Sequence, residues 1–486
     1  MFPASLKAGS LSRLLGHWRG DGKSEAAYRL LARALQLLIM DGRVGLGVRL
    51  PGERELAQAL GVSRTTLTAA YGQLRENGYL LSRRGSGSVT HLPGGRDSAV
   101  EADDGKEGDP LIDWTAAALP APAGLWEAYE EALRRLPAWL SGIGYEAMGL
   151  TCLREAIARD YARRGCPTRP EQIIVTSGAQ NGLTLVLRAL TGPGDRVAVD
   201  HPTYHNALGA IVRNSCQPVP ISLPEAGWDL DAMDAAFRQA GPRFAYLLPD
   251  FHNPTGRLMD EPTRRELVTL AARTRTPLLI DETMVETGLA ATAPAPVAAH
   301  DPDGHMIISL GSASKRYWGG LRIGWIRASE QRIAEFGRLR AILDMATPVL
   351  EQLAVTVMLE RDRRTDERRA LMRARCDRLI ALLADALPHW RAPVPEGGLA
   401  LWAELPRPDA SALAAMAQSL GLRIAPGPRF AIDGAFERFV RLPFTLSEPD
   451  LQRAVERLAQ ADRSLHRRAA HGLDSPVWTV EADRVI

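Results

Sequence analysis

Lys315 is the residue of this chain with the most chemistry open to it. The sequence has only four lysines, Lys7, Lys23, Lys106 and Lys315, and from residue 107 onward every other cation is Arg or His. An ordinary surface charge at 315 would be expected as Arg. Arg cannot form an imine, because its guanidinium keeps its proton, whereas a lysine amine can lose one. Lys315 lies in IISLGSASKRYWGGLRIGWI, residues 307–326, where the apolar runs 307–310 and 321–326 read as buried strands around a polar, glycine-containing turn. That turn also carries Ser312, Ser314 and Arg322. A lysine after a hydrophobic strand, with hydroxyls and an arginine nearby, suits a Schiff base to pyridoxal phosphate (PLP). The alternative is a surface lysine in an Arg-biased chain, and the neighbours must decide.

Four other strand ends offer matching chemistry. The apolar strand 278–280 ends on Asp281, and a carboxylate opposite a pyridine nitrogen keeps that nitrogen protonated. An acid at a strand end is also common in α/β folds without any such role. Residues 172–176 run into Ser177-Gly178-Ala179-Gln180 and then a helix, whose first N–H groups can face a phosphate. Residues 197–200 precede HPTYHNAL, where Tyr204 could stack on a flat ring or pack in the core. Residues 246–249 lead into DFHNPTG, where Asn253-Pro254 offers a fixed side-chain amide. From about residue 111, helical and strand patterns alternate for more than three hundred residues, which predicts an α/β domain.

The N-terminal part is built differently. Residues 25–40 carry an apolar helical stripe, 53–60 a short helix broken by Gly61, and Ser63 is placed to cap a helix that closes near Gly78. Helix, tight turn and capped helix predict a helix-turn-helix. Arg64, Thr65, Thr66 and Thr68 fall in the first turns of the second helix, the end that enters a major groove in such motifs. Leu67, Ala70, Tyr71 and Leu74 recur at core spacing. YLLSRRGSGSVTHL then predicts two short strands around Arg83, Arg84 and Gly87, a basic wing able to lay cations and N–H groups against phosphate. Residues 1–91 hold thirteen Lys/Arg against six Asp/Glu, a surplus of seven cations. The remainder therefore carries a surplus of five anions, which points to a nucleic-acid partner for the first part only.

The stretch GVRLPGERELAQALGVSRTTLTAAYGQLRENGYLLSRRGSGS resembles the winged helix-turn-helix of GntR-type bacterial regulators throughout. That resemblance implies DNA contacts at Arg54, Arg64, Thr66 and Gly87, with Ser63, Thr65, Arg83 and Arg84 in the same surface. The SGAQ turn, Tyr204, Asn253-Pro254-x-Gly256, Asp281 and Ser312-x-Ser314-Lys315 with Arg322, in that order, resemble the large domain of fold-type-I aminotransferases. By resemblance Lys315 is the imine lysine, Asp281 faces the ring nitrogen, Asn253 contacts the 3-oxygen and Tyr204 stacks on the ring. Ser177, Gly178, Ala179, Ser312 and Arg322 hold the phosphate, Ser314 belongs to the cofactor site, and Tyr145 reaches the cofactor of a partner subunit. Arg441, in FVRLPF, matches the arginine that pairs with a substrate carboxylate; a structural ion pair is the alternative. One departure stands out. A tyrosine that usually follows the aspartate is absent from Asp281-Glu282-Thr283-Met284, and the next is Tyr317.

The expected fold is therefore multidomain, a winged helix-turn-helix (α+β) joined to an α/β PLP-dependent transferase fold-type-I domain with a smaller C-terminal α+β subdomain. The expected boundaries are a basic arm at 1–24, the winged helix at 25–91, an acidic Gly/Pro-rich linker at 92–110, the PLP-binding body at 111–463 and a tail at 464–486. The whole arrangement is similar to the MocR family of transcription regulators. It implies a homodimer, often head to tail, that binds operator DNA and senses PLP or an amino-acid-like effector. The competing expectation is an active aminotransferase carrying a DNA-binding domain, and Thr283 weighs against efficient transamination. Composition fits: 45% hydrophobic and 24% charged residues describe a globular protein, and no apolar run reaches a membrane span. Cys152, Cys166, Cys216 and Cys376 lack metal-ligand spacing and predict reduced thiols in a cytoplasm.

Overall fold

The computed structural model describes residues 5–15, 18, 26–40, 44, 47–83, 87–91, 111–290, 292–302, 304–361 and 366–470. The expected linker at 92–110, Arg84 and the side chain of Arg83 lie outside them.

The N-terminal unit is a winged helix. Helices α1 (Ala8–Leu15), α2 (Ala27–Met40), α3 (Glu53–Leu60) and α4 (Arg64–Glu76) precede the strands β1 (Leu80–Arg83) and β2 (Gly87–Thr90). The strands pair antiparallel from Leu80 opposite Thr90 to Arg83 opposite Gly87. Gly61 ends α3 in the left-handed region, and Ser63 caps α4 by accepting from the Thr66 N–H. Leu31, Leu35, Leu56, Leu67, Ala70, Tyr71, Leu74 and Leu80 form one buried core. The expected arm is corrected here in part: Ala8, Leu11 and Leu15 bury the face of α1 in this same core. Three buried positions over eight residues give too short a stripe to distinguish from chance, and only packing reveals it.

The body is built on a seven-stranded mixed sheet. Its strands are β4 (Ile173–Thr176), β5 (Arg196–His201), β6 (Gln217–Ser222), β7 (Phe244–Leu247), β8 (Leu278–Asp281), β9 (Ile307–Ser312) and β10 (Gly324–Arg327), in spatial order β4-β10-β9-β8-β7-β5-β6. Strand β10 is antiparallel to both neighbours, and the other pairings are parallel. Strands β4 and β7 to β10 are buried at every position, as a parallel sheet covered by helices on both faces requires. Two apolar clusters lie on its two sides, one built on Val175, Leu247, Ile280 and Ile323, the other on Ile174, Val199, Tyr246 and Ile308.

A smaller subdomain follows, with a three-stranded sheet of Ala400–Glu404, Phe439–Pro443 and Ala425–Pro426 under the helices Asp366–Ala386, Ala410–Ser419 and Glu448–Ala470. Its own core centres on Leu401, Leu413, Leu442 and Leu458. Residues at the start of the body belong to it: β3 (Ile112–Asp113) pairs parallel with Leu422–Arg423, and the Trp114 indole donates to the Pro443 carbonyl at 2.6 Å. The segment Thr115–Ala117 therefore crosses between subdomain and sheet. At the other end, the final helix runs through Ser464 to Ala470, so the first residues of the expected tail continue it.

Candidate functional site

Each of the strands β5, β7, β8 and β9 ends in one cleft, at the carboxyl edge of the sheet where α/β folds bind ligands. Tyr204 caps the helix after β5, Asn253 follows β7, Asp281 is the last residue of β8 and Ser312 the last of β9. The cleft is closed on its far side by Thr115–Ala117 and by Gly398–Ala400 and Arg441 of the smaller subdomain. Residues distant in sequence thus converge because strand ends and two domain walls meet there.

Lys315 stands on a one-turn helix, Ala313–Arg316, capped by the Ser312 hydroxyl, which accepts from the Ser314 N–H at 3.1 Å. Its Nζ donates to the Ala117 carbonyl at 2.7 Å. Burial, with the like charges of Arg441 and Arg322, lowers the amine to about 8, against a smaller opposing effect of Asp281. The surface-lysine reading is excluded by this position in the cleft. Asp281 is buried; its Oδ2 accepts from the Tyr246 hydroxyl at 2.5 Å and its Oδ1 from the Thr283 N–H at 2.9 Å. Burial raises its carboxyl, and the hydrogen bonds from Tyr246 and Thr283 work against that rise.

Arg322 and the glycines beside it make an anion cradle. Arg322 occupies the left-handed region at φ 51°, with Nη1 near Ser314 Oγ at 3.4 Å and Nη2 near the Ser177 carbonyl at 3.3 Å. Gly178 has φ 86°, which favours glycine, and a Cβ there would meet Arg322 Nη2 at 2.3 Å, so any side chain would push that guanidinium aside. Helix Ala179–Leu190 starts immediately after it and turns its N-terminal N–H groups toward this corner. Ala179, Ser312, Ser314 and Arg322 line the cleft, whereas Ser177 and Gly178 reach it through Arg322. Tyr204 lines it too, its hydroxyl accepting from Asn206 at 2.9 Å.

Arg441 donates from Nη1 to Asn253 Oδ1 at 3.1 Å and from Nη2 to the Thr115 carbonyl, with its guanidinium 4.8 Å from the Phe430 ring centre. Among the described residues no carboxylate lies within ion-pair distance of it, which removes the structural ion pair as an explanation. Burial, then Arg429, lowers it to about 10, so it remains a cation at neutral pH. Its Nε is buried without a hydrogen-bond partner. Tyr145 is 60% exposed and does not line the cleft of its own chain.

Sequence reasoning missed three contributors, Tyr246 and two buried charge pairs. Tyr246, in the apolar strand FAYL, looks like core until its hydroxyl is seen on Asp281. Thr283 turns its N–H to the same carboxylate, and Tyr317 packs in the core away from the cleft. Two buried charge pairs brace the residues beside Asp281 and Lys315. Arg164 lies 3.0 Å from Glu282, by charge contact rather than an aligned hydrogen bond, and Arg316 lies 3.0 Å from Asp160. These partners are invisible in sequence because they pair across the fold.

On the winged helix, Ser63, Arg64, Thr65, Arg54 and Gly87 are exposed and Thr66 is half-buried. The Ser63 hydroxyl is engaged with Thr65 and Thr66 at 2.8 and 2.7 Å, and Thr68 donates to Glu53 at 2.7 Å. Arg64 and Thr65 are thus presented outward by a capped helix start. Among the described residues no helix is long and apolar enough to cross a membrane.

Comparison with known proteins gives two family matches: "Aminotransferase class I and II" over residues 143–458, and "Bacterial regulatory proteins, gntR family" over 27–89. An uncharacterized HTH-type transcriptional regulator of Escherichia coli, YdcR, is 29% identical over 448 residues, spanning 85% of this chain and 94% of that protein. A 2-aminoadipate transaminase of Thermus thermophilus is 29% identical over 314 residues, 63% of this chain and 79% of its own. Among solved structures, the α-aminoadipate aminotransferase LysN of Thermus thermophilus, complexed with N-(5'-phosphopyridoxyl)-L-leucine, superposes with a TM-score of 0.67 at 28% identity. It covers 74% of this chain and 93% of that one.

Proposed function

This chain belongs to the class I and II aminotransferase family and carries a gntR-family winged helix ahead of it, the MocR arrangement, and on that premise we propose that it is a PLP-responsive transcription regulator. In this reading the winged helix binds operator DNA, and the cleft takes PLP together with an amino-acid-like effector. The observation that carries it is Lys315. Its amine is held in a cleft at a lowered pKa, with a buried carboxylate and an arginine-glycine cradle around it, on a chain whose N-terminus presents a capped recognition helix.

The residues present fit the cofactor. Lys315 would hold it covalently, Asp281 would face its ring nitrogen, and Tyr204 would cover the ring. Asn253 would meet its 3-oxygen. Ser314, Arg322 and the Ala179 N–H would bind its phosphate, with Ser177, Gly178 and Ser312 shaping that corner. When bound, PLP supplies an aldehyde that captures amines and a ring that draws electrons. The chain's own groups do the rest. Tyr246 and Thr283 orient Asp281, and Arg441 offers a fixed cation to a carboxylate. Lys315, Arg322 and Arg441 together make the cleft electropositive, as suits a phosphate and a carboxylate.

The test uses the purified full-length chain and DNA from upstream of its own gene at one fixed salt concentration. Specific binding that shifts with PLP supports the regulator, and loss of that shift in Lys315→Ala ties it to the cleft. Binding indifferent to PLP and to amino acids would overturn the sensing role. The second reading, an active aminotransferase, draws on the transaminase relatives. It predicts multiple turnovers with an amino acid and an oxo acid, where the sensor gives at most one.

A further inference from the structure

In the smaller subdomain, away from the cleft, His389, Asp462 and His466 face one another, and we propose that they form a binding site for a divalent first-row transition metal, Zn2+ foremost. Asp462 and His466 are one turn apart on the helix Glu448–Ala470, so their side chains share a face. His389 comes from the turn after the helix Asp366–Ala386. The Asp462 Oδ2 lies 3.1 Å from His389 Nε2, and its Oδ1 lies 3.4 Å from His466 Nε2. All the candidate donor atoms lie within 4.8 Å of one another. Tetrahedral ligands at bonds of about 2.0–2.1 Å stand about 3.3 Å apart. Each imidazole already lies near that distance from one Asp462 oxygen, and sharing a single oxygen asks the carboxylate and rings to shift within the 4.8 Å that the donor atoms now span.

Three further features favour a metal over a chance surface cluster. The Asp462 side chain is 5% exposed, so its carboxylate is held facing the two imidazoles rather than turned to solvent. The Trp390 indole donates to Asp462 Oδ1 at 3.3 Å, the outer hydrogen bond that orients a ligating carboxylate. The histidine side chains are 44% and 28% exposed, which leaves an approach path and room for water to complete the coordination. Two imidazoles and one carboxylate suit Zn2+, Co2+ or Ni2+ better than Ca2+ or Mg2+. The ion would clamp the end of the last helix to the turn at His389, two segments 73 residues apart.

The experiment is a calorimetric titration of ZnCl2 into untagged full-length protein stripped with EDTA. One Zn2+ per chain in the micromolar range or tighter is expected, with a raised melting temperature. The double variant His389→Gln/His466→Gln should bind about tenfold more weakly or worse and lose the thermal gain, with an unchanged circular dichroism spectrum. Unaltered Zn2+ affinity in that variant, or no saturable binding to the wild type, overturns the site. Should the variant not fold, the wild type decides alone. Zn2+ should protect His389 and His466 from diethylpyrocarbonate, and unchanged labelling of both refutes the proposal.

Discussion

At the scale of single residues, the cleft turns on the protonation of one amine. Lys315 titrates near 8 in the folded chain because burial and two arginines disfavour its charge. Capture of an aldehyde needs the neutral amine, so the initial rate of PLP uptake should rise about tenfold per pH unit up to about 8 and then level off. Stopped-flow absorbance would follow it, and a flat profile from pH 6 to 9 would contradict the lowered pKa. The sign for stability follows from the same numbers. Between about 8 and 10.5 the unfolded chain holds a proton on this lysine that the folded chain lacks, so cofactor-free protein gains stability as pH rises through that window. The gain, about 3 kcal/mol at most, should vanish in Lys315→Met when urea unfolding is compared at pH 7.5 and 10. Arg441 works by geometry more than by titration. Asn253 and Thr115 fix two of its nitrogens, so Arg441→Lys should keep PLP binding but weaken an amino-acid ligand by about tenfold or more, read by spectral titration.

At the scale of elements, two short structures decide whether the functional groups are presented. Gly178→Ala sets a methyl on a φ of 86° and within 2.3 Å of Arg322. It should displace that guanidinium, lower PLP affinity at least about tenfold and cost about 1 kcal/mol of stability, seen in parallel titrations and melts. Ser63→Ala removes the cap of the recognition helix and should destabilise the winged helix by about 1 kcal/mol, whereas Ser63→Gly costs only a few tenths. These elements were legible because their signals are local. A cap residue, a glycine before a helix and an apolar run ending in an acid point to Ser63, Gly178 and Asp281, and the scarcity of lysine points to Lys315, without any knowledge of packing. Tyr246 on Asp281, Ala117 on Lys315 and Arg164 on Glu282 were not, because each pairs residues from different strands or domain walls. Helix α1 and the end of the last helix escaped for another reason: their apolar stripes are too short or too mixed to rise above composition.

At the scale of the whole molecule, the question is how a ligand in the cleft reaches DNA. Arg33 of α2 meets Glu130 of the body at 3.2 Å, an ion pair with side chains 59% and 28% exposed. An exposed pair of this kind contributes about 0–1 kcal/mol, so it cannot by itself fix the winged helix against the body. A ligand in the cleft will control DNA binding only if it favours one placement of the two units over another. That condition is thermodynamically reciprocal. If PLP changes operator affinity by some factor, operator DNA must change PLP affinity by the same factor, expected at about 5- to 150-fold for a typical coupling. Fluorescence anisotropy with labelled operator gives the first factor, and PLP absorbance with and without unlabelled operator gives the second. Two equal factors well above one would establish that cleft and winged helix share one equilibrium. Two factors of one would mean that the cleft binds its ligand without informing the DNA-binding domain, leaving the transaminase reading to account for Lys315, Asp281 and Arg441.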